Sequence, residues 1–393
     1  MSWKESNRMN ERLKFIVRLL EGESMTDLCK EFGVSRKTGY KFKERYESCG
    51  IDGVKDLSKI PLNHPLKTPY FVESLILNTK DEFKTWGAPK IKAYLEKKHP
   101  NQKIPAISTI HSILVNNNLV NHARKKNHFK STGTHLSCPE KENDLWCADF
   151  KGLFKMKNNQ YCYPLTITDQ YSRYLIMIEA LESTKQGSAF YAFERAFKEF
   201  GIPKIIRTDN GTPFASRSIW GLSQLSVWWL RLGIIFERIT PGHPEQNGQH
   251  ERMHRTLKAE TTNPASLNLL HQQESFDVFK KIFNELRPHE GIEMKVPKDL
   301  YISSPKIYPG FLEEIDYENM DHIRNVSLCG SIIFRESKNS KRICIGQAFA
   351  GQPLGITKVD DELFEVYFMD YLLGFFDTVE YKFTQASNPF NFK

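Results

Sequence analysis

The sequence has few features of a membrane or secreted protein. No apolar run reaches the roughly 20 residues that a helix needs to span a bilayer. The N-terminal segment MSWKESNRMNERLKF is charged from the start, so it lacks the apolar core of a signal peptide. These absences predict an unsecreted, cytoplasmic protein that does not associate with membranes.

Paired cysteines are also absent. The seven cysteines are odd in number and include no CxxC pair, which fits neither a disulfide framework nor a zinc ribbon. We therefore expect reduced thiols that serve as small core residues. With 40% hydrophobic and 12% aromatic residues, the chain can bury a core, and this composition argues against wholesale disorder.

The charge is distributed unevenly along the chain. Residues 1–136 contain 25 Lys and Arg against 14 Asp and Glu, a net charge of +11. A basic region of this kind favours a nucleic-acid partner, because each cation that neutralises a phosphate releases counterions. Residues 301–393 carry a net charge of −4, which favours protein contacts over nonspecific DNA contacts there.

Residues 1–50 have the pattern of a helix-turn-helix unit. A helix running to about Phe32, a turn at Gly33 and a second helix capped by Ser35 follow an amphipathic first helix. The second helix is basic, as in helices that enter the major groove of DNA, although an ordinary helical hairpin would give a similar pattern. Its candidate DNA contacts are Arg36, Lys37, Lys41 and Lys43.

The segments that follow are predicted from their composition and periodicity. Residues 51–69, rich in Gly and Pro, are predicted to be a linker. Residues 70–121 have the weaker pattern of a second helix-turn-helix-like unit. Residues 122–143 are interpreted as a basic connector that touches backbone phosphate through Arg124, Lys125 and Lys126.

The pattern changes at about residue 144. Over residues 144–300, β-rich segments alternate with helical ones, which indicates an α/β layer. Residues 301–393 become short strands separated by turns, which predicts a linker followed by a small β-barrel-like domain.

Three acidic residues stand at informative positions in the α/β layer. Asp149 lies within a predicted strand, Asp209 ends another strand, and Glu251 lies early in a helix. Each alone has an ordinary explanation, as an edge or turn aspartate or as a solvated helical glutamate. The residues expected to shape the two adjacent turns are Asn210, Gly211, Asn247 and Gly248.

The α/β region resembles the DDE family of insertion-sequence transposases and retroviral integrases over roughly residues 140–290. The resemblance lies in WCADFKG, DQYSRY, RTDNGTPFAS, WWLRLGI, NGQHERMHRTLKAE and FNELRPHEGI. It implies a ribonuclease-H-like core, a mixed sheet with flanking helices, in which Asp149, Asp209 and Glu251 form the catalytic, metal-binding triad. Such a triad suits Mg²⁺, with two ions per site and Mn²⁺ able to substitute, because Mg²⁺ prefers hard oxygen ligands.

The third acid has a competitor in the sequence. Many relatives have 35 residues between the second Asp and the Glu, a spacing that falls on Glu245 rather than on Glu251. The segment from Phe214 to Leu232 contains extra residues, so raw spacing is a poor guide. Glu251 follows Asn247-Gly248 at the family's offset, within a helix, and is the predicted ligand.

The helix after Glu251 carries candidate DNA contacts. Arg255 and Lys258, at i+4 and i+7, share its face, and His254 is nearby at i+3. Retroviral integrases have basic residues at matching offsets that hold the terminal DNA. The alternative is a solvated Glu–Arg pair. We interpret two further groups as structural. They are Asp169, Ser172 and Arg173 of DQYSRY, and the pair Trp228 and Trp229.

The resemblance implies a transposase that binds terminal inverted repeats, cuts 3′ ends and joins them to target DNA. It also implies a double-stranded DNA partner, a homo-oligomer on DNA and a nucleoid-associated protein. Two alternatives remain open at this point. One is a sequence-specific DNA-binding regulator with a silent core, and the other is a ribonuclease-H-like nuclease without strand transfer.

Overall fold

The computed structural model describes residues 8–57, 67–120, 136–240, 243–336 and 339–390. The chain divides into two compact units, residues 1–67 and residues 68–393. The candidate contacts Arg124, Lys125 and Lys126 lie outside the described residues, as does most of the predicted basic connector. Within the described ranges, no helix combines the length and apolarity needed to cross a bilayer.

The N-terminal unit is helical, as its sequence predicts. The turn between the second and third helices contains Gly33 at φ +63°, and the Ser35 hydroxyl accepts a hydrogen bond from the Thr38 amide at 3.2 Å. A Cβ on Gly39 would lie 2.8 Å from Cys29 Sγ, so glycine allows these two helices to approach closely. The helices are α1 (Arg8–Leu20), α2 (Met25–Glu31) and α3 (Arg36–Cys49).

The N-terminal unit extends further than its sequence predicts. A 3-10 turn, Gly50–Val54, follows α3 directly within the segment that was expected to be a linker. Val54 is fully buried, and its carbonyl accepts a hydrogen bond from Arg12 Nη1 at 3.0 Å. Residues 51–54 therefore belong to the folded unit, because a buried valine anchors them there.

The second helical region packs on the α/β layer. Its three helices enclose an apolar cluster centred on Trp86 and Ile91, and Ile282 of the α/β region packs against that cluster. Lys97 forms an ion pair with Asp299 at 2.8 Å. The helices are α4 (Tyr70–Glu82), α5 (Ala88–Lys98) and α6 (Ile107–Asn116).

The α/β region contains a mixed sheet in the order β4-β3-β1-β5-β6, with β2 paired to the start of β3. Strands β4, β3 and β1 are antiparallel, whereas β1, β5 and β6 are parallel. This confirms the predicted mixed sheet. The strands are β1 (Leu145–Phe150), β2 (Phe154–Lys155), β3 (Tyr161–Asp169), β4 (Leu175–Leu181), β5 (Ile205–Thr208) and β6 (Ile235–Arg238).

Helices cover the sheet with two apolar clusters. Alternation along β1 sends Trp146 and Ala148 into one cluster, together with Phe197 of α7 and the buried Trp229 of α8. Helices α9 and α10 form the other cluster. Asp149, next to Ala148 along β1, points to the opposite face from Ala148. The helices are α7 (Gln186–Phe200), α8 (Gln224–Arg231), α9 (Gly248–Thr261) and α10 (Leu269–Glu285).

The C-terminal region is β-rich, as predicted. Five strands form an antiparallel sheet in the order β13-β12-β11-β10-β7, and the hairpin β8-β9 contacts the edge strands β7 and β13. Phe349 and Phe364 belong to the same apolar cluster as Trp220 and Leu225, so this region shares a core with the α/β layer. The strands are β7 (His322–Asn325), β8 (Ser331–Glu336), β9 (Asn339–Cys344), β10 (Pro353–Asp360), β11 (Leu363–Phe368), β12 (Tyr371–Asp377) and β13 (Lys382–Gln385).

Candidate active site

Two aspartates lie side by side on neighbouring parallel strands. Ala148 of β1 is in register with Thr208 of β5, so Asp149, the next residue of β1, lies beside Asp209, the first residue after β5. Burial, together with the negative charge of Asp209, raises the pKa of Asp149 to about 7. Burial also raises the pKa of Asp209. The pair is therefore costly to ionise unless a cation is nearby.

The turn after β5 holds Asp209 in place. The Gly211 amide donates a hydrogen bond to Asp209 Oδ1 at 3.1 Å, and a Cβ on Gly211 would lie 2.9 Å from Asp209 Oδ2. Asn210 Nδ2 donates to the Ile239 carbonyl at 2.7 Å, which connects this turn to the chain after β6. Asn210 and Gly211 therefore lie where the sequence pattern predicts, at the turn beside the acid.

Glu251 approaches the aspartates from the first turn of α9. It is exposed, and its charge makes a small contribution to the raised pKa of Asp149. Asn247 precedes the helix with its side chain buried, and Gly248 is the first helical residue. The competing Glu245 belongs to the short 3-10 segment Pro244–Asn247 instead.

Two histidines fasten α9 to the sheet behind Asp149. His250 Nε2 and His254 Nε2 lie 2.7 Å and 2.6 Å from Thr166 Oγ1. Thr166 is paired with Asp149 across the sheet, and its hydroxyl donates to the Asp149 carbonyl at 3.1 Å. Because that hydroxyl has only one hydrogen, both Nε2 atoms must donate to it. This network fixes the helix of Glu251 relative to the strand of Asp149.

Both histidines are neutral in this environment. Burial lowers the pKa of His250 to about 3. Burial, with smaller contributions from His250 and Lys151, lowers the pKa of His254 to about 2. Thr168 Oγ1 lies 2.9 Å from His250 Nδ1, so a neutral imidazole meets both of its hydrogen-bonding needs.

The position of His254 corrects its predicted role as a DNA contact. His254 is only 6% exposed and faces the sheet, whereas Arg255 and Lys258 are exposed with Glu251. The sequence signal for this was the i, i+3, i+4, i+7 spacing of a buried helical stripe. That stripe consists of His250, Met253, His254 and Leu257.

The donor set suits a divalent metal ion. Asp149 and Asp209 supply adjacent carboxylates, the hard oxygen ligands that Mg²⁺ prefers. Burial raises both pKa values, and the charge of Asp209 adds to the effect on Asp149, so a cation would stabilise the ionised pair. His254 Nδ1 lies 3.7 Å from Asp149 Oδ2. Among the described residues, ligand atoms of Asp149, His250 and His254 lie within 4.8 Å of one another, and this group includes neither Asp209 nor Glu251.

The candidate DNA contacts in the N-terminal unit lie along α3. Arg36, Lys37 and Lys41 are exposed, whereas Lys43 is half-buried and lies 3.7 Å from Glu47. Three of the four predicted cations are thus fully accessible on the second helix of the motif.

Comparison with protein families agrees with this arrangement. Residues 139–244 match the model of an integrase core domain, and residues 232–297 match a second integrase core domain model. The region from residue 139 to residue 297 is thus similar to integrase core domains. The first match includes both aspartates, and the second includes Glu251. Residues 11–61 match a helix-turn-helix domain, in agreement with α1 to α3 and with the buried turn that follows them.

Relatives of the integrase core occur in insertion elements and retroviruses. The chain is 25% identical over 181 residues to an uncharacterized 31.7 kDa protein of insertion element IS407 from Burkholderia multivorans, covering 46% of this chain and 63% of the relative. It is 27% identical over 150 residues to an uncharacterized 39.2 kDa protein of insertion element IS476 from Xanthomonas euvesicatoria, covering 38% and 41%. It is 33% identical over 117 residues to the Gag-Pol polyprotein of baboon endogenous virus, covering 30% and 6%. The chain thus spans less than two thirds of each of these relatives.

Proposed function

We propose that this protein is the transposase of an insertion sequence. It binds the terminal inverted repeats of its element, cuts at the 3′ ends and joins those ends to target DNA. The observation that carries the proposal is the acidic site, where Asp149 of β1 lies beside Asp209 at the end of the parallel strand β5 and Glu251 adds its charge from the first turn of α9. The similarity to insertion-element proteins supports the same reading.

In this proposal the three acids hold divalent metal. Asp149, Asp209 and Glu251 would bind Mg²⁺, two ions per site, and Mn²⁺ would substitute. When bound, such ions supply charge neutralisation for phosphoryl transfer and lower the pKa of an attacking oxygen. The chain itself contributes carboxylates fixed by the Gly211 amide and by the histidine–threonine network, so that the ligands need little rearrangement.

In this proposal, α3 and the exposed side of α9 would bind DNA. Helix α3 offers Arg36, Lys37 and Lys41 to the terminal repeat, and Arg255 and Lys258 flank the acids on the exposed side of α9. Two DNA ends must be held together for joining, so the working form is a homo-oligomer on DNA. The protein would act in the cytoplasm, associated with the nucleoid.

The test uses a labelled duplex that carries a candidate terminal repeat, taken from the DNA that flanks the gene. With Mg²⁺ or Mn²⁺, the wild-type protein is expected to produce labelled strands covalently joined to a second DNA. Asp209→Asn should bind the same duplex but give no joined product, because a metal ligand is lost. Joining by Asp209→Asn at the wild-type rate would overturn the assignment.

Product analysis also distinguishes the two alternatives. Hydrolysed ends without joined strands would indicate a nuclease of the same core. Specific binding of the repeat without cutting or joining would indicate a DNA-binding regulator.

A further inference from the structure

A basic cavity is lined in part by the first turns of α9, the helix that carries Glu251. Its volume is about 510 Å³, and four of its lining residues are cationic. They come from separate parts of the chain: α5, the turn between β3 and β4, α9, and the segment after α10. The cations are Lys90, Arg173, Arg252 and Arg287.

Most of this positive charge has no anionic partner. Among the described residues, Arg287 is the only one of these four cations that forms an ion pair, with Glu260 at 2.6 Å. Arg173 Nη1 is buried and has no hydrogen-bond partner. Its guanidinium extends over Gly291, where a Cβ would lie 3.6 Å from Arg173 Nη2. No described acid lies within ion-pair distance of Lys90 or Arg252.

Two acids also line the cavity, and neither balances its charge. Both carboxylate oxygens of Asp169 already accept hydrogen bonds within the protein. Oδ1 accepts one from the Asn143 amide, and Oδ2 accepts two, from the amide and the hydroxyl of Ser172. Glu290 is exposed, where solvent screens its charge. Arg287 is balanced by Glu260, so the positive charge left in the cavity is that of the half-buried Lys90 and Arg173 and of the exposed Arg252.

Keeping these cations together has an energetic cost in the free protein. Burial, followed by the charge of Arg287, lowers the pKa of Lys90 to about 8. Burial, followed by the charge of Arg252, lowers the pKa of Arg173. Unpaired charge on the half-buried Lys90 and Arg173 is unfavourable, so an anion seated between them would reduce the cost.

We propose that this cavity binds a phosphate group, and that the phosphate belongs to a DNA strand held at the acidic site. Guanidinium groups match the geometry of phosphate oxygens, and Lys90 adds a mobile ammonium. Arg252 directly follows Glu251 in α9, and His250 lines the cavity while belonging to the network behind Asp149. The assignment to DNA rests on the proposed function, whereas the phosphate site itself does not.

The cavity also connects two parts of the chain. Lys90 comes from α5 in the second helical region, and the other three cations come from the integrase core. A phosphate bound here would contact both, so α5 would take part in holding the DNA without using a recognition helix.

The test measures DNA binding in EDTA, where no cleavage occurs, with the full chain and a labelled duplex. Lys90→Met and Arg173→Gln keep much of the side-chain length but remove the charge. We expect about 5- to 10-fold weaker binding and a salt dependence reduced by about 0.9 in log–log slope, the value for one lost phosphate contact. The matched control is Lys92→Met on the same helix, since Lys92 already pairs with Glu96 at 3.4 Å. It should bind as the wild type does.

A second arm separates the two sources of phosphate. Inorganic phosphate at millimolar concentration should raise the melting temperature of the wild type but not of Lys90→Met. That result with unchanged DNA binding would retain the phosphate site and overturn its assignment to DNA. No effect of either variant on DNA affinity, salt slope or phosphate-induced melting would overturn the proposal entirely. A wild type that binds no duplex would count against the proposed function instead, because the phosphate arm would still report on the cavity.

Discussion

The two faces of α9 differ in their exposure to solvent. The outer face, defined by Glu251, Arg255 and Lys258, is exposed. The inner face consists of His250, Met253, His254 and Leu257, all buried against the sheet or α10. Within the same turns of α9, exposed side chains therefore alternate with side chains that fix the position of the helix on the sheet. Substitutions on the outer face should change activity or DNA binding, and those on the inner face should change stability.

The largest effect is expected for Glu251→Gln on the outer face. Loss of a metal ligand removes several kcal/mol of transition-state stabilisation, so strand transfer should fall at least about 100-fold. The melting temperature should stay within a degree or two of the wild type because the side chain is exposed. A strand-transfer assay and a thermal melt on the same preparation measure both.

The matched control for that variant is Glu245→Gln. Glu245 is six residues away in the short segment before α9, at the spacing that many relatives use. It should retain wild-type activity. Loss of strand transfer in Glu245→Gln with full activity in Glu251→Gln would reverse the assignment of the third acid.

On the inner face, Leu257→Ala should mainly reduce stability. Leu257 is fully buried with Phe276 and Phe279 of α10, and truncating such a leucine costs about 2–5 kcal/mol. Urea unfolding monitored by circular dichroism measures the change in the free energy of unfolding. Lys258→Ala, the neighbouring outer-face variant, should leave it within about 0.5 kcal/mol. Equal stability losses in both variants would contradict the division between faces.

The smallest effect is expected for Arg255→Ala on the outer face. One lost phosphate contact should weaken DNA binding a few-fold and lower the salt slope by about 0.9. Stability should change by less than about 0.5 kcal/mol because the side chain is exposed. Fluorescence anisotropy at several salt concentrations gives both the affinity and the slope. An unchanged slope would show that Arg255 touches no phosphate.

Helix α9 also illustrates what the sequence can and cannot predict. The neighbourhood of Asp149 and Asp209 was implied by the resemblance to DDE transposases and integrases, and the parallel pairing of β1 with β5 accounts for it. The predicted role of His254 as a DNA contact was wrong because only its offset from Glu251 was considered. Its place in a four-residue buried stripe was the better guide.

Other features depend on packing between distant segments. Val54 is a single valine in a Gly- and Pro-containing stretch, and its burial depends on α1, more than thirty residues earlier, as well as on α3 directly before it. Lys90 and Arg173 are 83 positions apart and line one cavity only because α5 packs on the integrase core. No local periodicity records such contacts, so the basic cavity could not be predicted from sequence.

The shared core of the C-terminal strands has a consequence for dissecting this protein. Trp220 Nε1 donates to the Ala386 carbonyl at 3.0 Å, and Arg231 Nη1 donates to Gln352 Oε1 at 2.6 Å. Phe349 fills the same apolar cluster as Leu225. A fragment ending near residue 300 would expose this cluster to water and promote aggregation. The integrase core and the C-terminal strands should therefore melt in one cooperative transition, and a minimal catalytic fragment must retain both.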